Sequence, residues 1–168
     1  VKGVVTEADV KAGKVKIYAP DGFLQEAVSE NVYAGNAMTR RTLYMYGALL
    51  PRNEKGLVDT GLGKTNSIGT IGLIQPTDII TKSEDTRIID GIKIEFLLVP
   101  GTEAPSEMIM YFPQFKMVDS AEDATHTLHN LYTLRGAQVR DAAKWWKALD
   151  RVMEKYGDQT EIIMAQHH

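Results

Sequence analysis

"TRIIDGIKIEFLLVP", residues 86–100, decides the fold. Two runs rich in β-branched and large apolar residues flank Asp90-Gly91, the dipeptide that supplies positive φ at both central positions of a two-residue hairpin turn. A hairpin is therefore predicted here, and its neighbours extend it. "EMIMYFP" and "FKMVDS" read as two more strands around a turn at Pro113 and Gln114. Together they predict a sheet with about four consecutive strands. "VKIYAP" (15–20) predicts a short strand ending at a Pro-Asp-Gly turn.

Helical periodicity lies on either side of this sheet. From about Gln25 to Leu50 the chain lacks proline, and Val28, Val32, Leu43, Tyr46 and Leu50 recur at roughly helical spacing. A long helix, interrupted around Ala34 and Gly35 and stopped by Pro51, is expected. The segment from Ala121 to Gly136 carries Leu128, Leu131, Tyr132 and Leu134 before its glycine, and predicts a second helix. From Asp141 to about Tyr156, Trp145, Trp146, Leu149, Val152, Met153 and Tyr156 form a broad apolar stripe that Gly157 ends. "EIIMA" (161–165) predicts a final buried strand. A sheet, then helices, then another strand implies an α/β layered fold with functional groups at strand ends and on loops. Glu103, Glu122 and His167 each follow a predicted strand.

Composition narrows the function classes. The 168 residues, 43% hydrophobic and 24% charged, describe one ordinary globular domain. A net charge of −3 with no basic run gives no footprint for nucleic acid. No apolar run approaches the roughly 20 residues that span a bilayer, and the first residues lack a signal-peptide layout, so a soluble chain is expected. The absence of cysteine restricts any metal site to His, Asp and Glu.

Several motifs carry competing meanings. "GLGKT" (61–65) resembles the end of a phosphate-binding loop, but that motif requires glycine where Val58 stands, so a turn-rich connection over 52–72 is the better account. His126 and His129, three residues apart, would share a helix face, yet no HExxH motif accompanies them. Hydrogen-bonded histidines explain them as simply as ligands do. The terminal His167-His168 pair continues from a strand without a linker, which favours a native His167 over a tag remnant.

Four long stretches point further: "SENVYAGNAMTRRTLYMYGALLPRN" (29–53), "VPGTEAPSEM" (99–108), "YFPQFK" (111–116) and "AEDATHTLHNLYTLRGAQVRD" (121–141). Over nearly the whole chain, from about residue 15, the sequence resembles the alkylsulfatases of the metallo-β-lactamase superfamily, bacterial enzymes that hydrolyse dodecyl sulfate and related esters. The resemblance implies an αββα sandwich with a two-zinc site at the edge where strands end. It makes Glu103 a ligand of one zinc, Glu122 the bridge between both and the main catalytic carboxylate, and His167 a ligand of the second. Asn130 and Arg135 match the sulfate-binding residues, whereas His126 and His129 match no ligand. If 121–136 is helical, Asn130 and Arg135 stand about 140° apart and converge only where the helix breaks.

The family's HxHxDH motif is missing. The chain is thus expected to be the carboxyl-side part of the catalytic domain, over 1–168, inactive alone and exposing a sheet face that the other half would cover. The resemblance further implies a homodimer and a periplasmic or secreted location. Two other readings remain: a metallo-β-lactamase-fold hydrolase of phosphoesters or thioesters, and a non-catalytic binding domain of the same fold.

Overall fold

The computed structural model describes residues 4–60, 63–64, 72–125 and 131–166. The predicted hairpin forms as β3 (Asp85–Ile89) and β4 (Ile92–Leu98), paired antiparallel with Ile89 opposite Ile92. Asp90 and Gly91 take φ of 50° and 82°, the left-handed geometry that makes the turn follow the strand twist. β5 (Met108–Phe112) and β6 (Met117–Asp119) continue the antiparallel meander across a 3-10 turn at Pro113–Phe115. β7 (Ile162–Met164) then adds parallel to β6, giving the order β3-β4-β5-β6-β7. A separate parallel pair joins β1 (Tyr18–Pro20) to β2 (Asp78–Ile80).

Strand direction locates the site. Two antiparallel steps separate β4 from β6, so both run the same way, and β7 runs with β6. The carboxyl ends of β4, β6 and β7 consequently lie along one edge of the sheet.

One face of this sheet buries Leu97, Val99, Ile109, Tyr111 and Val118 against Ala148 and Tyr156 of helix α4 (Ala142–Tyr156). Tyr111 and Tyr156 stack with centroids 4.4 Å apart. Asp141 caps α4: its Oδ1 accepts hydrogen bonds from the amides of Ala143 (2.9 Å) and Lys144 (3.2 Å), which otherwise lack helical partners. Asp141→Ala should cost about 1 kcal/mol of unfolding free energy, measured by urea titration. The predicted apolar stripe is narrower than expected, because Trp146 and Met153 are 53% and 63% exposed on its flanks.

Ahead of the sheet, α1 (Glu7–Lys11) is followed by α2 (Phe23–Val28), a π-helical turn at Ser29–Tyr33 and α3 (Gly35–Met45). The expected interruption thus falls at Ala34, between the π turn and α3. No helix among the described residues is long and apolar enough to cross a membrane.

Two expectations are corrected. The described parts of 121–136 contain turns and bends instead of a helix. Ala121 has φ 51°, and the Thr133 hydroxyl accepts the Ala137 amide at 3.0 Å, a side-chain bond that competes with helical pairing. Its apolar residues Tyr132 and Leu134 are exposed. The final strand forms but is not buried: Ile163 is 71% exposed, as an edge strand without a covering layer among the described residues.

Candidate functional site

At the carboxyl edge of β4 the chain turns through Gly101, whose φ of 78° and contact with Lys144 leave little room for a side chain. Gly101 N–H donates to Ala104 O (2.9 Å) and Thr102 Oγ1 to Val99 O (2.8 Å), folding the loop back on the strand. Glu103 stands at the loop's apex and is only 7% exposed. At the edge of β6, Asp119 Oδ1 accepts the Ala121 amide at 3.1 Å and Ser120 O accepts the Asp123 amide at 3.0 Å, a tight turn that presents Glu122 and Asp123. Trp145 Nε1 donates to Asp123 O (2.9 Å), tying this turn to α4.

Carboxylates gather between these two loops. Asp123, fully buried, accepts the Glu103 amide at 3.2 Å through Oδ1, while its buried Oδ2 has no hydrogen-bond partner among the described residues. The carboxyl groups of Glu103 and Glu122 lie close enough for the charge of one to act on the other. Burial, then the Glu122 charge, pushes Glu103 up to about 7 against the opposing pull of Arg140. Burial likewise raises Glu107 to about 8 and Asp123 to about 6, with neighbouring carboxylates adding to both. Against these four acids Arg140 brings a cation close, its Nη2 lying 3.3 Å from Glu103 Oε1.

Such a cluster suits a hard or borderline cation, which accepts carboxylate oxygen and would offset the crowded charge. Among the described residues no group of three His, Asp or Glu side chains makes a ligand set. Glu103 and Glu122 fit part of one.

Arg135 lies in the loop 131–140. Its Nη2 is 3.4 Å from Glu30 Oε1 on the π turn, and its carbonyl accepts from Arg41 Nη1 at 3.2 Å. A cavity of about 90 Å³ lies beside this pair, lined in part by Glu26, Glu30, Met38, Pro105, Gly136 and Arg140. It is well below the roughly 300–1,000 Å³ of ordinary ligand pockets, so it has no room for a long alkyl tail.

The chain is 56% identical over its full length to a linear primary-alkylsulfatase of Pseudomonas sp., and 52% identical to an alkyl/aryl-sulfatase of Saccharomyces cerevisiae. It superposes on the solved stereoselective inverting sec-alkylsulfatase of Pseudomonas sp. with TM-score 0.93 at 48% identity over 99% of its residues. Over its whole length the chain is similar to one part of these alkylsulfatases. It spans 25% and 26% of the two curated relatives and 26% of the solved chain. No protein-family model matches it.

The fold of the chain is shared more widely. A metallo-β-lactamase family protein from Thermus thermophilus superposes over 92% of the chain, TM-score 0.53, at 13% identity. Both observations agree with the α/β, metallo-β-lactamase-like architecture expected from the sequence.

Of the residues proposed from the alkylsulfatase motifs, Glu103 and Glu122 come together, and Arg135 lies on a loop pinned to that of Glu103 through Arg140. Asn130, His126, His129 and His167 lie outside the described residues. Gln166, just before His167, is described: its amide donates to Ala121 O at 3.0 Å, beside Glu122. Arg140, Asp123 and Glu107 stand within or beside the quoted motifs but carry no motif role. Only their burial marks them, and that is invisible in one sequence.

Proposed function

We propose that the full-length protein hydrolyses alkyl sulfate esters to an alcohol and sulfate, and that this chain is the carboxyl-side part of its metallo-β-lactamase-fold catalytic domain. The supporting observation is the closeness of the Glu103 and Glu122 carboxyl groups at one sheet edge. Buried like charges are costly without a proton or cation between them.

In this reading Glu103 would hold one zinc ion, Glu122 would serve both ions, and His167 would hold the second. Two bound cations would lower the pKa of a water molecule and clamp the anionic ester. Arg135 presents a fork of donors to the sulfate oxygens and Asn130 a neutral donor. Since Arg135 is paired with Glu30, sulfate competes with that carboxylate or joins it. The missing ligands come from the HxHxDH motif of the longer protein, so the 168-residue chain by itself is inactive. A homodimer and export to the periplasm or medium complete the proposal.

Measured on the full-length enzyme, inorganic sulfate should be released from dodecyl sulfate in a zinc-dependent way, with little turnover of matched phosphoesters or thioesters. Preferred cleavage of either competitor ester would replace this function with the corresponding hydrolase. Tight binding of two zinc ions by the 168-residue chain would overturn the assignment of a divided site.

A further inference from the structure

Arg140 makes contacts in three directions. Its Nε donates to the main-chain carbonyl of Glu103, its Nη2 lies 3.3 Å from Glu103 Oε1, and its Nη1 donates to Gln138 O at 2.6 Å. The side chains of Arg140 and Glu103 are 7% and 8% exposed. The backbone of Arg140 adds a fourth link, because its amide donates to Leu131 O at 2.8 Å. That bond closes the neck of the loop 131–140. Inside it, the Gly136 amide donates to Thr133 O at 2.9 Å and the Ala137 amide to Thr133 Oγ1 at 3.0 Å, so the turn bearing Arg135 has its own internal frame.

One residue therefore grips the carbonyl and the carboxylate of Glu103 with its side chain, and the base of the Arg135 loop with its main chain. We propose that Arg140 is a positioning residue that holds the Glu103 carboxylate and the Arg135 loop in one frame, so that metal and sulfate are received at a fixed separation. This rests on the alkylsulfatase reading above. Partners that orient a ligating carboxylate are part of a metal site even though they do not touch the metal. The planar guanidinium suits this work: its donors diverge in fixed directions, so it can reach a carbonyl, a carboxylate and a second carbonyl at once. A lysine keeps the charge but offers no rigid fork.

The test uses the full-length enzyme with Arg140→Ala and Arg140→Lys, beside Glu122→Gln. Zinc affinity is read by competition with a chromophoric chelator, and kcat and KM for dodecyl sulfate are read separately. Arg140→Ala should lose roughly 10–100-fold in zinc affinity and should raise KM, and added guanidinium ion, well below denaturing concentration, should restore part of both. Arg140→Lys should fall short of wild type in both readouts and gain nothing from guanidinium.

Wild-type zinc affinity and KM in folded Arg140→Ala would overturn the proposal. Should Arg140→Ala fail to fold, wild-type values in Arg140→Lys would overturn it instead. Glu122→Gln separates the two levels. If it also keeps wild-type zinc binding, the metal-site reading itself has failed; if it alone loses zinc, only the role of Arg140 has.

Discussion

Glu122→Gln in the full-length enzyme is expected to abolish binding of one zinc ion and to lower kcat/KM by more than the roughly 10–100-fold that loss of an outer-shell partner costs. The substitution keeps the side chain's shape and its capacity to hydrogen-bond, but removes the charge that a bridging ligand needs. Its effect on the metal-free protein should have the opposite sign. The Glu122 charge is one of the causes that hold Glu103 above its usual range, so removing it relieves repulsion. Metal-free stability, measured by chemical denaturation in the presence of chelator, should therefore be equal to or greater than wild type. A variant with lost zinc and unimpaired stability identifies a ligand; one that keeps zinc and turnover shows that Glu122 is neither a ligand nor a catalytic group.

The second large effect is on pH. Glu103, Glu107 and Asp123 are pushed up to about 7, 8 and 6 from ordinary values of 4.5, 4.5 and 3.8. In the metal-free folded state these carboxyls keep protons that the unfolded chain releases. The stabilisation is therefore complete below about pH 4 and is lost as pH rises through about 6 to 8. At about 1.4 kcal/mol for each tenfold gain in proton affinity on folding, the fall is on the order of a few kcal/mol for each of the three carboxyls. Urea unfolding with chelator present should show stability declining from pH 5 to pH 8. Saturating zinc should flatten or reverse that slope, because ionised carboxylates bind the cation. A flat profile in chelator would mean that these acids do not share a buried site.

What was legible in the sequence was legible because the signal is local. Asp90-Gly91 fixes its own turn by φ, and Asp141 bounds the start of α4 by capping chemistry. The break at Ala34 was visible as a lapse in apolar spacing. The failures arose where long-range partners decide. The leucines and tyrosine of 121–136 imitate a helical stripe, but Thr133 diverts a backbone amide and the local turns take over. "EIIMA" looks buried because its residues are apolar, yet burial needs a covering layer and β7 has none among the described residues. Of the site, Glu103 and Glu122 could be placed at strand ends in advance. Their meeting with Asp123, Glu107 and Arg140 depends on the parallel directions of β4 and β6, which no periodicity reveals.

The ladder beyond β6 and β7 sets where this protein can change length. The Ser120 amide donates to Met164 O at 2.9 Å and the Gln166 amide to Ala121 O at 3.0 Å, so the backbone leading to His167 is measured against the turn bearing Glu122. Residues between Gly157 and Glu161 can lengthen at little cost to the site, since they form a surface connection outside that register. One residue inserted between Met164 and Gln166 would break the register that brings the Gln166 amide to Ala121 O beside the Glu122 turn. Tolerance to insertion should therefore differ sharply between these two neighbouring stretches, with the intolerant side being the one that ends in histidine.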